Sequence, residues 1–350
     1  MYIVLAILAF GFIITIHELG HYLSAKALNV KVNEFAVGFG PKIFRIYGKE
    51  TLYSLRALPF GGFCSFEGEH KEGDEPDPRS FFSQSRLRRV IILAAGSFAN
   101  FIAAFIIILI LTAGADGFMG TTIVNVSDKF PDAGLAEIMP GDRLVAINGE
   151  RLFYYEDYVL FLRLNADNPI TFTLDRNGEK VEYQRRTHMV DGEEHFRYSI
   201  AFNSIDGTIL EKLKYSCYRT YSFVRLIRIS ILMMVNGSAG VENIAGPVGV
   251  VDAMNTIGQQ APTTSAAIGS IVFFTAFLGV NIGMINMLPI PAMDGGRILF
   301  IFVSWVIEKI TRRSLNPKYE GYINTGAFVL LIGIMVIALY NDIIRIVSGG

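Results

Sequence analysis

The sequence predicts a polytopic α-helical membrane protein of about four transmembrane helices, with a folded β-rich domain inserted between the second and third. Composition is the first ground: 51% of the 350 residues are hydrophobic, 18% are charged and mean hydropathy is +0.40. An ordinary soluble domain is less apolar than this. The apolar residues are also gathered into long uncharged runs. Between two of those runs, residues 116–262 carry turn signals and alternating apolar and polar positions. The net charge of −1 supplies no global field to attract nucleic acid or an acidic substrate.

Each span follows from length and charge. The first is Tyr2–Ile16, continuing helically to about Asn29; it lacks the charged leading segment and small-residue cleavage site of a signal peptide, so retention is expected. The second is Val90–Ala115, entered through Arg86, Arg88 and Arg89. The third runs from about Ala266 to Met293 without a charge, and Gly326–Tyr340 forms the core of the fourth. Leu210–Val235 is interrupted by Arg219, Arg225 and Arg228, which suits an amphipathic interfacial helix; Arg297–Glu308 is similar. Short-loop basic residues set the orientation. Eleven Lys and Arg lie from Lys26 to Arg89, and Arg297, Lys309, Arg312, Arg313 and Lys318 separate spans three and four. Both segments are assigned to the cytoplasm, which leaves residues 116–262 outside. The two cysteines, Cys64 and Cys217, form no disulfide or CxxC pattern.

The outer region opens with Pro140-Gly141-Asp142, an alternating Arg143–Ile147 and the turn Asn148-Gly149. Tyr154–Leu164 has helical apolar spacing, and a second hairpin turns at Asn177-Gly178. The stretch from Gly134 to Gly149 closely resembles a PDZ domain of the bacterial protease type, in one copy from about Gly117 to Asn203. Such domains bind extended peptide at a sheet edge. The chain thus divides into an N-terminal membrane region (1–115), the PDZ domain (116–205), a helical connector (206–262) and a C-terminal membrane region (263–350).

His17-Glu18-Leu19-Gly20-His21 stands at the inner end of the first span. Histidines four residues apart project from one helical face and can grip one metal ion, with Glu18 placed to take a proton. Ionisable groups are costly in hydrocarbon and rarely lie there without a function. Catalytic zinc normally takes three protein ligands, so a third is expected elsewhere. His70, His188 and His195 lie in polar, solvated segments and are poor candidates. Asp294 is better: it is the first acid after the uncharged third span. His17 lies about 24 Å along its helix from Met1, in the cytoplasmic half of the bilayer, where the inward-running third span also ends. Pro289 and Pro291 break regular helix beside Asp294, and irregular backbone at that depth is tolerated where it lines a wet cavity.

Taken together, the HELGH span, the segment Asn286-x-x-Pro289-x-Pro291-x-x-Asp294-Gly295 and the intervening PDZ domain resemble the site-2 protease family of intramembrane zinc metalloproteases. The likeness is to the bacterial RseP/RasP-like branch and covers nearly the whole chain. Phe39-Gly40, Pro59–Phe63 and Ala95–Asn100 are similar to further landmarks of the family. A single PDZ copy departs from the best-known enterobacterial member, which has two. The resemblance implies Zn2+ held by His17, His21 and Asp294, with Glu18 as general base and Asn286 touching the substrate backbone. It also implies a multi-pass protein of the bacterial cytoplasmic membrane that cuts transmembrane segments of other proteins, such as pre-cleaved anti-sigma factors or remnant signal peptides. The PDZ domain would filter substrates by size or read a C-terminus.

A helical peptide bond must unwind before it can be cut. Ile43–Ile46, Gly48-Lys49 and Thr51–Leu58 read as a hairpin on the cytoplasmic side, followed by Gly61, Gly62 and Phe63. This hairpin is expected to dip towards the membrane and accept the unwound substrate as an added strand. Two rivals are a catalytically inactive PDZ-containing adaptor and a metal permease. Intact HELGH with Asp294 argues against the first, and the absence of inverted repeats against the second.

Overall fold

The computed structural model describes residues 1–68, 77–126, 138–165, 169–185, 200–237, 246–312 and 318–348. His70, His188, His195 and the start of the PDZ-like stretch at Gly134 lie outside the described residues. The chain divides into two units, one of residues 1–111 with 219–350 and one of residues 112–218.

Among the described residues of the first unit, four helices are long and apolar enough to cross a membrane: Tyr2–Ala27 (α1), Arg86–Thr112 (α2), Thr264–Met287 (α6) and the Gly321–Asp342 part of Lys318–Ser348 (α8). Ile209–Val235 (α4), with its arginines, is not among them, and Pro247–Gln260 (α5) is too short. Small residues set the spacing of the helices. Gly20 of α1 lies against the Ala95 carbonyl of α2, where a Cβ would also come within 2.8 Å of the Ala99 side chain. Ala6 and Ile13 of α1 are buried with Met254 of α5 and Ile271 and Leu278 of α6. Ala104 and Ile108 of α2 are buried with Phe223 and Ile227 of α4 and Ala276 and Val280 of α6. Helix α1 ends where Asn29 turns left-handed (φ 61) and the Val30 amide reaches back to the Ala25 carbonyl, a Schellman-type stop.

Between α1 and α2 the expected hairpin is present but longer than the sequence indicated, with strands Val32–Tyr47 (β1) and Leu52–Phe66 (β2). Each strand folds over on itself. Glu34 lies opposite both Ser65 and Leu52, and Val37 opposite both Gly62 and Leu55. Residues 34–37 are therefore flanked on both sides: antiparallel to 62–65, and at a constant offset of 18 residues from 52–55, which run alongside in the same direction. Residues 52–55 pair in turn with 44–47. The result is a single ribbon of four paired segments whose outer edge, 62–66, is turned towards α1. Cross-strand charges fix the register: Glu34 accepts from Ser54, Arg56 and Lys42. Glu50, in the hairpin turn, pairs with Lys26 at the end of α1 and with Arg79.

The second unit is an antiparallel sheet of order β7-β6-β4-β3-β8, with β5 paired to β4. Its strands are Gly117–Val126 (β3), Arg143–Ile147 (β4), Glu150–Arg151 (β5), Ile170–Arg176 (β6), Glu179–Arg185 (β7) and Ile200–Asp206 (β8); helix Tyr155–Leu164 (α3) precedes β6. Residues 209–218 of α4 belong to this unit because Tyr215 stacks on Phe118, with ring centroids 4.1 Å apart, and Tyr218 packs on Tyr154. Asp142 is buried at the start of β4, where it accepts both Nε and Nη2 of Arg176 and the Met139 amide, each at 2.8 Å.

The Arg176 guanidinium holds the Asp142 carboxyl below the usual carboxylate range. A lowered native pKa gives a stabilising contribution that is full above the unfolded value of about 3.9 and is lost as pH falls through the native value. Hydrogen-exchange protection of β4 and β6 in the full chain should therefore hold from neutral pH to about pH 4 and fall below it. In Arg176→Gln that acid step should be diminished; an unchanged step would assign the loss to other groups.

Candidate metal centre

Helical periodicity brings His17 and His21 to one face of α1, and the end of α6 brings the third donor to them. Leu288 is extended before Pro289, ending α6, and Ala292 turns left-handed (φ 71) to redirect the chain. Helix Asp294–Thr311 (α7) then starts at Asp294 itself. The reversal is tight enough to demand glycine: a Cβ at Gly295 would run into the Met287 carbonyl, and one at Gly296 into the Ile290 carbonyl. Asp294 sits in the first turn of α7, where the helix dipole favours a carboxylate.

Three donor atoms converge. His17 Nε2 and His21 Nε2 each lie 3.1 Å from Asp294 Oδ2 and 3.2 Å from each other. Both histidines are 6% exposed, and the Asp294 side chain 15%. Among the described residues they form a His, His and Asp group able to hold one metal ion. The His21 ring is fixed from behind, with Nδ1 2.8 Å from the Ile92 carbonyl of α2. That contact makes Nδ1 the donor and turns the Nε2 lone pair towards Asp294. Two imidazoles and a carboxylate this close together present a donor set that a bound cation would draw together. Tetrahedral zinc with bonds of about 2.0–2.1 Å separates its ligand atoms by roughly 3.3 Å, close to the observed triangle. The residues fit the metal.

A cavity of about 480 Å³ opens on this triangle. It is lined by all eight of the site residues expected from sequence: His17, Glu18, His21, Asn286 and Asp294, with Gly61, Gly62 and Phe63. Glu18 lies beside the ribbon edge, accepting a backbone hydrogen bond from Cys64, and a Cβ at Gly62 would sit 3.3 Å from its Cγ. Asn286 Nδ2 stands 3.5 Å from His17 Nε2. Sequence reasoning missed three features. Cys64 lines the cavity yet carried no motif. Arg297 also lines it, with its guanidinium 5.1 Å from the Phe81 ring centroid; its spacing of three from Asp294 on one helical face was the available signal. Gly96 of α2 abuts both histidine rings, so that a Cβ there would collide with His21 Nε2 and come within 2.9 Å of His17 Cε1. A glycine inside an apolar span was the clue, since membrane helices place small residues where neighbours approach closely.

Gly96→Ala should therefore abolish stoichiometric zinc binding while leaving helical content unchanged. Metal analysis of the purified protein beside its circular dichroism checks this. A zinc-replete Gly96→Ala protein would show that the rings tolerate displacement.

Residues 5–334 match Peptidase family M50. The chain is 36% identical over 343 residues to a provisionally named zinc metalloprotease of Clostridium acetobutylicum, covering 98% of this chain and 97% of that one. It is 34% identical over 346 residues to a similarly named protein of Clostridium perfringens, covering 98% and 99%. Zinc metalloprotease RasP of Bacillus licheniformis is 27% identical over 425 residues, covering 97% of this chain and 98% of the relative. With its membrane-spanning helices and its His, His and Asp cluster, the chain belongs to peptidase family M50, the site-2 protease family, and is a zinc metalloendopeptidase.

Proposed function

We propose that this enzyme hydrolyses peptide bonds within transmembrane segments of other membrane proteins in the bacterial cytoplasmic membrane. The observation that carries the reading is the donor triangle, which joins spanning helix α1 to the start of α7 and opens, beside Glu18, into a cavity bordered by the 62–66 edge of the ribbon. His17, His21 and Asp294 would hold zinc, which would polarise the scissile carbonyl and acidify water. Glu18 takes the proton of the attacking water on its carboxylate and returns it to the leaving amine. The Cys64 backbone holds that carboxylate in place. Asn286, through its amide, steadies the substrate backbone beside His17.

Substrate presentation falls to the ribbon. An unwound segment loses its helical hydrogen bonds in a medium with little water and needs new partners. Residues 62–66 pair on one side with 32–37, and their other side, where the Cys64 N–H meets Glu18, faces the cavity in which an added strand would lie. Gly61 makes room for the Phe39 ring and Gly62 for Glu18, and Phe63 borders the cavity beside them. The 112–218 unit is the PDZ domain, on the extracytoplasmic side, selecting substrates by size or by their C-terminus. Suitable substrates are membrane anchors already shortened by an earlier cut, such as anti-sigma factors, and remnant signal peptides.

Glu18→Gln should retain zinc and lose about 10²- to 10⁴-fold in cleavage of a transmembrane reporter. Wild-type turnover by a zinc-loaded Glu18→Gln enzyme would remove Glu18 as the base. Proline placed in the 62–66 edge should cut turnover of the membrane reporter far more than zinc content; unaltered cleavage by a folded variant would sink strand addition.

A further inference from the structure

Among the described residues, His21 has a protein partner behind its ring and His17 does not. Among the described residues His17 Nδ1 is buried with no hydrogen-bond partner, and the same holds for Ser97 Oγ and for Asn100 Oδ1 and Nδ2. Ser97 is 0% and Asn100 1% exposed. Stranded polar atoms at membrane depth are costly, and Ser97 and Asn100 come just after Gly96 of α2, the residue that meets the His17 ring.

The packing places Ser97 and Asn100 within about one helical turn of Gly96 and its contact with the His17 ring. Helices α1 and α2 run antiparallel: His21 meets the Ile92 carbonyl, Gly20 meets Ala95 and Ala99, and His17 presents Cε1, the atom bonded to Nδ1, to Gly96. One turn further, a Cβ on Gly279 of α6 would touch Ile13 of α1 on one side at 3.3 Å and the Asn100 carbonyl on the other at 3.7 Å. Asn100 follows Gly96 by four residues and shares its helical face. Side chains on a helix lean back over the preceding turn, which directs the Asn100 amide towards Gly96 and the His17 ring edge. Gly283, whose Cβ would stand 3.2 Å from the Ser97 carbonyl and 3.5 Å from Asn100 Cβ, brings α6 close on the outer side.

We propose that Ser97 and Asn100 are positioning residues for the metal centre, holding a buried water that accepts the Nδ1 proton of His17. A water needs two to four polar partners; His17 Nδ1, Ser97 Oγ and the Asn100 amide supply them. The water would fix the tautomer that leaves Nε2 free for the metal, as the Ile92 carbonyl does for His21. Outer partners of metal-bound histidines typically change metal affinity 10- to 100-fold.

This inference rests on His17 being a zinc ligand, and the experiment separates the two. Zinc affinity is measured on full-length protein by chelator competition, and the visible spectrum of the cobalt-substituted protein reports ligand geometry. Asn100→Leu, which keeps the branched shape without polar atoms, should weaken zinc 10- to 100-fold and alter the cobalt spectrum of the folded protein. Asn100→Asp keeps an acceptor and should restore most of the affinity. Ser97→Ala, which removes one oxygen, should weaken zinc about tenfold and stands in if Asn100→Leu does not fold. Wild-type affinity and spectrum in folded Asn100→Leu or Ser97→Ala would overturn the proposal. If His17→Ala loses zinc at the same time, the ligand assignment survives that failure; if His17→Ala keeps wild-type affinity, both fall.

Discussion

Gly20 of α1 lies on the α2 backbone at Ala95, and Gly96 of α2 lies on the rings of His17 and His21. This reciprocal close approach of two spans is the constraint on which the centre depends. It lets Ile92 reach His21 Nδ1, which points Nε2 at Asp294. It also presses the imidazoles to within 3.2 Å of each other, a spacing that a bound cation makes favourable. Without hydrophobic driving force between lipid-facing helices, such contacts come from small residues and polar bonds. The same small-residue logic recurs where Gly279 and Gly283 bring α6 to α2, and where Gly295 and Gly296 let α7 fold back on the end of α6.

The ribbon and the helices are coupled through Glu18. Its carboxylate is held from the Cys64 backbone, on the strand edge that borders the cavity. Glu18, the two histidines and the edge therefore meet at one corner, anchored at the far end where Glu50 ties the hairpin turn to Lys26 and Arg79. Movement of the edge would carry consequences for the orientation of Glu18.

Much of this was legible because it is written in charge and period. Uncharged runs marked the spans, the i,i+4 histidines marked a ligand pair, and the first acid after the third span marked Asp294. The turns at Asn148-Gly149 and Asn177-Gly178 announced their hairpins through left-handed Asn and Gly. What stayed hidden depends on contacts distant in sequence. Nothing local says that residues 34–37 are flanked by both 62–65 and 52–55. Nothing in Pro247–Gln260 distinguishes an interfacial connector from a helix whose Met254 is packed with α1 and α6. The left-handed turn at Ala292 breaks the rule that such turns favour glycine, so it left no trace in composition.

His17 and Asp294 are 277 residues apart in the chain. At about 5–20 residues per second of synthesis, roughly 15–55 s pass between the emergence of the two. By the end of that interval the growing polypeptide contains HELGH, the ribbon and the sheet domain. None of it can assemble the full donor set. The wide separation of the donors acts as a timer, keeping a nascent hydrolase inert beside the newly inserted helices of its neighbours until its own membrane region is nearly complete.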